Sequence, residues 1–293
     1  MDRLDAMKAF LAVSDLGGFA PAARHLRMSA AGVTRAVALL EADLGLALLA
    51  RTTRVVRLTE RGALYAERCR RILAEVDEAR GVARGESASP FGRLAITAPV
   101  VFGRLHILPV VERMSAAYPD LVIRLTLLDR VVHLVEEGFD LAVRIGDLPD
   151  SSFAASVLTR VRPVLVASPG YLAEHGTPQS LADLKRHRII GFESVGATND
   201  WRFGSNSRMS VTVSPMIYLN SADAAIASCQ RGVGITRALD YQVEAAIAEG
   251  RLVRILEAFE PADVPVSLLY QSTRRGSPNI RAFVIEARRM VHR

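Results

Sequence analysis

The chain has 293 residues, half of them apolar and 6% aromatic, a composition typical of an α/β protein with two or three domains and a large core. Lys and Arg outnumber Asp and Glu by 37 to 31, and the net charge of +6 favours nucleic acid as a partner. No run of about 18 apolar residues occurs, and the first residues lack the apolar stretch of a signal peptide. We therefore expect a cytoplasmic protein with no membrane partner.

Residues that bind metals or cofactors are not grouped in this sequence. The six His residues show no ligand spacing with one another or with Cys, so no metal site is expected. Gly232-Val233-Gly234 lacks the third glycine and the preceding strand of a dinucleotide site, and no cofactor is expected. Cys69 and Cys229 lie in different regions, and we interpret each as a buried small apolar residue rather than a disulfide partner or redox sensor.

The amino-terminal segment predicts three helices. Apolar residues from Leu4 to Val13 form an amphipathic pattern that ends at Gly17-Gly18. A short helical pattern covers 18–26, a break follows at 27–29, and a longer helical run covers 30–41 with Ser29 as its N-cap. Two helices joined by a tight turn outline a helix-turn-helix. The alternative is a small helical bundle with a solvated basic loop.

In a helix-turn-helix the second helix enters the major groove, and its first residues reach the base edges. Ala22, Ala23 and Leu26 share one helix face, and we expect that face to pack against Val33, Val37 and Leu40 of the second helix. The opposite face of the second helix carries Ser29, Thr34 and Arg35. Arginine can pair with guanine through two hydrogen bonds, and hydroxyls can bond bases or phosphates.

The segment 48–59 predicts a β-hairpin with Arg and Thr residues around its tip, which is the expected wing of a winged helix-turn-helix. Residues 19–57 contain six Arg and two acidic residues, a local net charge of +4. Concentrated positive charge on one small module is the pattern expected for phosphate contacts. The predicted DNA-contacting residues are Ser29, Ala30, Ala31, Val33, Thr34, Arg35, Arg51, Thr53, Arg54 and Arg57.

One long helix is predicted from Thr59 to about Ser87. Its apolar residues step by 4, 3, 4, 3 and 4, which is the seam of a coiled coil. We therefore expect a dimer, which would set two recognition helices about 34–36 Å apart and require a palindromic site. The alternative is packing of this face against its own chain. The predicted dimer residues are Tyr65, Cys69, Ile72, Val76 and Ala79.

A linker rich in Gly, Ser and Pro at 81–92 marks a domain boundary. Beyond it, apolar runs alternate between the strand and helix periods, which predicts a parallel sheet covered by helices. Strands are expected at 93–98, 121–128, 140–145, 160–168, 188–192, 217–219, 234–236, 252–254 and 266–270, and a hairpin at 201–203 and 209–213. Helices are expected at 101–118, 131–137, 181–184, 222–231, 243–248 and 280–291.

In its order and spacing of motifs, the chain resembles the LysR-type transcriptional regulators. The amino-terminal matches are Phe10–Val13, Gly18-Phe19, Ala22-Ala23, Val33–Arg35, Leu39–Glu41, Leu44-Gly45, Leu48–Arg54 and Leu58–Gly62. Further matches are 139–146, 165–172, 232–235 and 281–283. Departures from the family pattern are Ala20, Ala30-Ala31 and Ala50; Ala30 replaces a Gln that commonly touches a base, which bears on which operator is bound.

The resemblance implies an α+β multi-domain protein: a winged helix-turn-helix at 1–59, a linker and dimerisation helix at 60–88, and an effector-binding regulatory domain at 92–293. That last domain would resemble the type 2 periplasmic binding proteins. Its first subdomain would comprise 92–161 and 266–293 and its second 162–265, joined by two crossing strands. The resemblance further implies a homo-oligomer that binds double-stranded DNA and a small effector, with RNA polymerase as an additional partner.

Ligands of open α/β sheets bind beyond the carboxyl ends of the strands, which places an effector between the two subdomains. The first such end, at 97–100, leads into a helix whose first N–H groups favour a carboxylate, so the expected effector is a small organic anion. The predicted effector-binding residues are Thr97, Pro99, Val100, Asp129, Arg130, Arg144, Gly146, Phe192, Trp201, Asn220, Ser221 and Ile235.

Two of these side chains have structural alternatives. Trp201 could be an ordinary core aromatic, and Arg144 could pair with an acid such as Asp140. At the level of function, we expect a regulator and no catalytic residues. The rivals are an enzyme or solute-binding protein that carries a DNA-binding head, and a nucleoid-type protein that binds DNA without sequence preference.

Overall fold

The computed structural model describes residues 2–51, 56–83, 89–146, 153–192, 199–274 and 276–291, and the side chains at 51, 71, 74 and 77–83 lie outside this description. The chain divides into two compact units, Met1–Ala88 and Ser89–Arg293. The division falls inside the predicted linker. Among the described residues, no helix combines the length and the apolar character that crossing a bilayer requires.

The first unit is a three-helix core followed by a two-stranded ribbon and a long helix. Its elements are α1 (Arg3–Asp15), α2 (Phe19–Leu26), α3 (Ala30–Leu44), β1 (Leu49–Arg51), β2 (Val56–Leu58) and α4 (Glu60–Ala83). The two strands pair antiparallel. Phe10 of α1 is fully buried and belongs to the same core as Ala22 of α2 and Val37 of α3. The small Ala22 side chain permits the close approach of the helices that the sequence predicted.

Local signals in the sequence set the ends of α2 and α3. Arg27 ends α2 in the left-handed conformation with φ 54°, and Gly45 ends α3 in the same way with φ 65°. Ser29 begins α3, where its hydroxyl oxygen accepts a hydrogen bond from the Gly32 N–H at 3.0 Å. The turn between the two helices is therefore as short as the predicted helix-turn-helix requires.

The ribbon is tied to α3 and α4 through its first strand. Glu41 of α3 accepts hydrogen bonds from the N–H groups of Leu48 and Leu49 at 2.8 and 3.1 Å. Gly62 of α4 lies so close that a Cβ atom there would be 1.9 Å from the Leu48 carbonyl oxygen. These contacts fix the base of the ribbon relative to α3.

The second unit contains two mixed five-stranded sheets and a hairpin. The strand orders are β4-β3-β5-β14-β6 and β11-β8-β12-β7-β13, and β9 pairs with β10. The strands are β3 (Gly92–Ala98), β4 (Leu121–Leu127), β5 (Leu141–Ile145), β6 (Phe153–Val161), β7 (Pro163–Ala167), β8 (Ile189–Phe192), β9 (Asp200–Phe203), β10 (Met209–Thr212), β11 (Pro215–Leu219), β12 (Ile235–Leu239), β13 (Val253–Ile255) and β14 (Val264–Gln271).

Helices cover both sheets. They are α5 (Val100–Phe102), a π-helical segment (Gly103–Ile107), α6 (Leu108–Ala117), α7 (Pro169–His175), α8 (Ala222–Gln230), α9 (Asp240–Ala248) and α10 (Pro278–Met290), with short 3₁₀ helices at Leu181–Arg186, Glu257–Phe259 and Ser272–Arg274. Helices α6 and α10 cover one face of the first sheet, and α8 and α9 cover one face of the second. The chain passes from the first sheet to the second between β6 and β7, and it returns between β13 and β14.

Several predicted elements are wrong. The sheets are mixed rather than purely parallel, because β14 runs antiparallel to β5 and β6, and β7 runs antiparallel to β12 and β13. The predicted strand 160–168 is two strands, the first of which begins at Phe153. The predicted helix at 131–137 is a turn-rich segment. Helix α7, which the sequence reasoning missed, begins at the N-cap Ser168.

Candidate DNA-binding surface and effector site

The start of α3 presents a polar, exposed surface. Ser29, Ala30, Ala31 and Arg35 are exposed, and Thr34 is half-buried. The Ser29 oxygen accepts the Gly32 N–H, so its hydroxyl hydrogen remains able to donate to a phosphate. The Thr34 hydroxyl donates to the Ala30 carbonyl at 2.9 Å and keeps its acceptor lone pairs. The positive end of the helix dipole lies at the same turn.

Val33 does not belong to this surface. It is completely buried between the helices of the first unit, together with Val37 and Leu40. Because no part of its side chain reaches solvent, the prediction that Val33 touches DNA is wrong, and only its predicted packing role is observed.

Around α3 the exposed charge is positive. Arg24, Arg27 and Arg57 are exposed. Of the two acids in this region, Asp43 is paired with Arg3 at 2.7 Å, and Glu41 is bonded to the ribbon amides. The charge of Asp43 is therefore balanced by Arg3, and the carboxylate of Glu41 is directed at the base of the ribbon. The predicted contacts Thr53 and Arg54, and the side chain of Arg51, lie outside the described residues.

The face of α4 that carries Tyr65 and Cys69 packs on its own chain. Cys69 is fully buried, and the Tyr65 ring lies 5.8 Å from the Phe10 ring of α1. The prediction that Cys69 contacts a partner is wrong for this reason, and Tyr65 is half-buried by its own chain. By contrast, Leu64 is 68% exposed and Ile72 is 39% exposed. Val76 is half-buried, and the side chain of Ala79 lies outside the described set.

In the second unit, two buried polar atoms lack partners at the carboxyl end of the first sheet. Thr97 is completely buried, and its Oγ1 has no hydrogen-bond partner within the described chain. Arg144 donates from Nη1 to the Val143 carbonyl at 3.0 Å, but its Nη2 is buried and unbonded there. Thr97 pairs with Ala142 across β3 and β5, so Thr97 and Arg144 lie on the same sheet face. Burial lowers the pKa of Arg144.

The side chain of Asp129 lies at the first turn of α5, where an effector carboxylate was expected. Its carboxylate accepts the Val100 N–H at 3.0 Å, so the first of the N–H groups predicted to bind an effector is already used. Burial raises the pKa of Asp129, and the nearby negative charge of Asp223 adds to this effect, while the Val100 N–H lowers it. The side chain of Val100 is half-buried, and Pro99 is the residue that precedes the helix.

The other charged side chains of this region are paired. Arg130 forms a bidentate ion pair with Glu137 at 2.5 and 2.9 Å and is exposed. Asp140 pairs with Arg274 and accepts the Ala95 N–H at 2.8 Å. The suggested pairing of Arg144 with Asp140 is therefore wrong, because another arginine already holds that carboxylate.

Phe192, Asn220 and Ser221 lie at the carboxyl ends of β8 and β11 in the second sheet. Phe192 is half-buried against the cores of both sheets, and Asn220 is exposed. Ser221 is the N-cap of α8 and accepts the Ala224 N–H at 3.3 Å. Gly146 follows β5 with φ 111°, a conformation that favours glycine.

Two predicted effector residues belong to a core instead. Trp201, on the β9–β10 hairpin, is 6% exposed, Ile235 of β12 is fully buried, and both belong to the core between the hairpin and the second sheet. The prediction that they line the effector site is wrong, because their side chains point into the second sheet's core. The alternative interpretation of Trp201 as a core aromatic is correct.

Two family models match the chain. "Bacterial regulatory helix-turn-helix protein, lysR family" matches residues 4–63, and "LysR substrate binding domain" matches residues 87–291. The chain is a LysR-type transcriptional regulator. The predicted family and fold class are thereby confirmed.

Relatives of this LysR-type regulator match along its whole length. It is 35% identical over 287 residues to an HTH-type transcriptional repressor of Pseudomonas aeruginosa, covering 97% of this chain and 90% of the relative. It is 34% identical over 284 residues to the regulator CrgA of Neisseria meningitidis serogroup B, covering 96% and 94%. The solved structure of CrgA matches with a TM-score of 0.64 at 31% identity, covering 99% of both chains. Full-length AphB of Vibrio cholerae shares the fold, with a TM-score of 0.60 at 24% identity and full coverage of both chains.

Sequence reasoning missed an aromatic cluster in this LysR-type regulator. The Phe102 ring lies 4.7 Å from the His106 ring and 5.4 Å from the Tyr241 ring, so the helical segment after β3 meets α9 of the second sheet. Burial raises the pKa of Tyr241 above its ordinary value. Phe102 and His106 are one helical turn apart, but Tyr241 is distant in sequence, so no periodic pattern connects it to the other two. Within the described chain, no group of three His, Cys, Asp or Glu side chains could hold a metal ion.

Proposed function

We propose that this LysR-type regulator binds double-stranded DNA through the start of α3 and the adjoining ribbon. Arg35 contacts bases, the Thr34 oxygen accepts from a base amino group, and the Ser29 hydroxyl, together with exposed arginines, contacts phosphates. Support comes from the exposed turn at 29–35 and from the pairing of both nearby acids with groups of the protein itself. The protein acts in the cytoplasm as a regulator rather than an enzyme, with RNA polymerase as a further partner.

The DNA-binding form is a homodimer or a larger oligomer on a palindromic site. The partner helix packs on the α4 face that carries Leu64, Ile72 and Val76, because the neighbouring face is filled by its own chain. Replacing Leu64 and Ile72 with Glu is expected to convert the oligomer to monomers in sedimentation experiments. Ala63→Glu, at an exposed position on the opposite side of α4, serves as the control and leaves the oligomer intact; monomers in the control, or oligomers in the first variant, would contradict this seam.

The effector is a small organic anion whose carboxylate bonds Thr97 Oγ1 and Arg144 Nη2. The observation that carries this proposal is that both atoms are buried without partners within the described chain, on neighbouring strands at the carboxyl end of the sheet. A buried polar group without a partner costs roughly 1–3 kcal/mol, and an anion would recover that cost. Binding between the two subdomains would change their closure and thereby the spacing of the DNA-binding helices.

The experiment is footprinting upstream of the protein's own gene and the adjacent gene, with and without a panel of small organic acids. Wild-type protein is expected to protect a palindromic site and to change its footprint with one acid. Thr97→Val keeps the shape but removes the hydroxyl, so it should protect the same site, unfold at a higher temperature, and lose the acid response. An unaltered response in Thr97→Val and in Arg144→Met would refute the effector assignment while leaving the DNA-binding assignment intact.

A further inference from the structure

One buried hydroxyl group joins α7 to the beginning of β8. Tyr171 of α7 is 1% exposed, and its hydroxyl oxygen accepts the Arg188 N–H at 2.9 Å. The same oxygen lies 3.1 Å from Nδ1 of His187, a half-buried residue that follows the 3₁₀ helix Leu181–Arg186. We call the Tyr171 hydroxyl, the His187 ring and the Arg188 N–H the Tyr171 joint.

The donors and acceptors of the Tyr171 joint fix the positions of its protons. A phenol oxygen carries one hydrogen and accepts through its lone pairs. The oxygen of Tyr171 already accepts from Arg188, and the described residues offer its hydrogen no acceptor other than Nδ1 of His187. The hydroxyl therefore donates to Nδ1, which requires a neutral ring with its own hydrogen on Nε2.

Protonation of His187 would remove this acceptor. The charged ring carries a hydrogen on both nitrogens, so Nδ1 could only donate. The hydrogen of the Tyr171 hydroxyl would then be left buried without an acceptor, which is costly for the closed joint. His175 differs in this respect, because its Nδ1 lies 3.2 Å from the Tyr171 backbone carbonyl, to which either the neutral or the charged ring can donate.

The charges around His187 come from α7 and from the 3₁₀ helix. Burial lowers the pKa of His187 below its ordinary 6.5. The positive charges of His175 and Arg186 lower this pKa further, whereas the negative charge of Asp183 raises it. Asp183 is paired with Arg186, Glu174 lies 4.0 Å from Nδ1 of His175, and the other side chains of the surrounding core are apolar. Burial and the two neighbouring cations therefore favour the neutral His187 ring.

The Tyr171 joint is connected to the edge of the second sheet that faces the first. The Arg188 carbonyl accepts the Ile235 N–H at 2.8 Å, where β12 begins, and β8 and β12 run parallel from there. Strand β8 ends at Phe192, which packs against the cores of both sheets. Strand β12 leads into α9, whose Tyr241 ring lies 5.4 Å from the Phe102 ring. A change at the joint therefore bears on the contact between the two sheets.

We propose that the Tyr171 joint is an acid-sensitive switch of the regulatory unit, for which the proton is the ligand. With His187 neutral, the joint is closed and α7 is held against the start of β8. With His187 protonated, the Tyr171 hydroxyl loses its acceptor and the joint opens. The inference is independent of the proposed DNA-binding and effector sites, because it uses different residues.

The sign of the pH dependence follows from the lowered pKa of His187. The contribution of the closed joint to stability is fully present above pH 6.5 and is lost as the pH falls below that value. Because one proton is taken up, the ratio of open to closed joint should rise by at most about tenfold for each pH unit.

The fluorescence of Trp201 reports on the switch, because this only tryptophan lies in the same core as Tyr171. Full-length wild-type protein, titrated from pH 8 to pH 5, should show a reversible one-proton change below pH 6.5. His187→Asn keeps an acceptor near the position of Nδ1 but cannot take up a proton, so this change should be absent. His133→Asn, at an exposed position of the same unit, is the control and should retain it. No change in wild type, or the same change in His187→Asn, would overturn the proposal.

Nitrogen NMR of the histidine rings tests the wild-type joint without relying on the folding of a variant. Long-range ¹H–¹⁵N spectra at pH 7.5 should show His187 as a neutral ring with its hydrogen on Nε2, identified by the signal missing from His187→Asn. A charged His187 ring at this pH, or a neutral ring with its hydrogen on Nδ1, would contradict the switch.

Thermal unfolding separates a switch from a purely structural bond. The unfolding temperature of wild type should fall relative to that of His187→Asn between pH 7 and pH 5, because only wild type gains a proton on opening. Tyr171→Phe leaves the Arg188 N–H without its acceptor and should unfold at a lower temperature at both pH values, without the fluorescence change. A difference between wild type and His187→Asn that does not depend on pH would show that His187 only supports the fold.

Discussion

Replacing Gly62 with Ala should damage the DNA-binding unit without affecting the regulatory unit. The added Cβ would lie 1.9 Å from the Leu48 carbonyl oxygen and 2.8 Å from its carbon, whereas ordinary contact begins at 3.4 Å. Both atoms belong to backbone, and Leu48 is held by the bond from its N–H to Glu41. The strand must therefore move. Overpacking costs about 1–3 kcal/mol, loss of a hydrogen bond to the Glu41 carboxylate adds about 1.5 kcal/mol, and the better helix propensity of Ala returns about 1 kcal/mol.

The net loss of about 1.5–3.5 kcal/mol, with a centre near 2.5 kcal/mol, corresponds to an increase on the order of a hundredfold in the population of the opened first unit. Hydrogen–deuterium exchange measures this directly, since exchange of core amides follows the opening equilibrium. Peptides from α1 and α3 should exchange about a hundredfold faster, and peptides from 92–291 should be unchanged. Gly18→Ala is the control, because its Cβ meets only the Pro21 ring, with Cδ at an ordinary 3.4 Å and Cγ at 3.9 Å. Wild-type exchange and DNA affinity in Gly62→Ala would refute the reasoning.

Two further predictions concern titrating groups. Burial raises the pKa of Asp129, which means that folding disfavours its ionised form. Asp129→Asn should therefore raise the unfolding temperature at pH 7. This gain should vanish below pH 3.8, because the carboxyl is then protonated in both the folded and the unfolded state. Asp183→Asn is the matched opposite, because the N–H groups of Ser180 and Gln179 lower the pKa of the Asp183 carboxyl. Its carboxylate therefore stabilises the fold above pH 3.8, and the variant should lower the unfolding temperature at pH 7. A change of unfolding temperature in the same direction in both variants would contradict the assignment. Burial raises the pKa of the Cys229 thiol to about 12 and also raises the pKa of Cys69. Neither thiol should therefore react with Ellman's reagent at pH 8 until urea unfolds the protein. The contribution of Cys229 to the free energy of unfolding should be lost as the pH rises from 9 to 12. Rapid native labelling of either thiol would contradict the burial.

The helix-turn-helix could be predicted almost to the residue because each boundary has a local cause. Ser29 supplies a cap, Gly45 supplies the left-handed stop, and the spacing of Val33, Val37 and Leu40 defines one buried face. What the spacing could not show is which partner fills an apolar face. On α4, the residues at 65 and 69 pack against α1 of the same chain, whereas a coiled-coil pattern alone is equally compatible with a second chain.

The incorrect helix at 131–137 has a different cause. Its apolar residues fit a helical pattern, yet Val132 and Leu134 are buried against the first sheet while Val131 is 53% exposed. This alternation belongs to the irregular stretch that leads into the turns at 134–138, and the Glu137 carboxylate bonds both the His133 N–H and Arg130. Tertiary contacts therefore override a weak local preference.

The candidate effector residues were predicted from strand ends, which specify a region but not the direction of each side chain. Thr97 and Arg144 were placed correctly at the end of the first sheet, but their unpaired atoms became visible only with the strand register. Trp201 lies in the core instead of the effector site, because the sequence of a hairpin does not show which of its two faces packs against the sheet.

The most direct test of the account is the affinity of wild-type and Arg35→Ala protein for a palindromic site and for a scrambled duplex, measured by fluorescence anisotropy across a series of salt concentrations. Wild type should prefer the palindrome, and Arg35→Ala should lose about 1–3 kcal/mol of affinity for the palindrome while binding the scrambled duplex nearly as before. Loss of a phosphate contact alone would weaken both duplexes equally and reduce the salt slope by about 1. Unchanged affinity for both duplexes in Arg35→Ala, or no preference in wild type, would contradict the placement of α3 in the major groove.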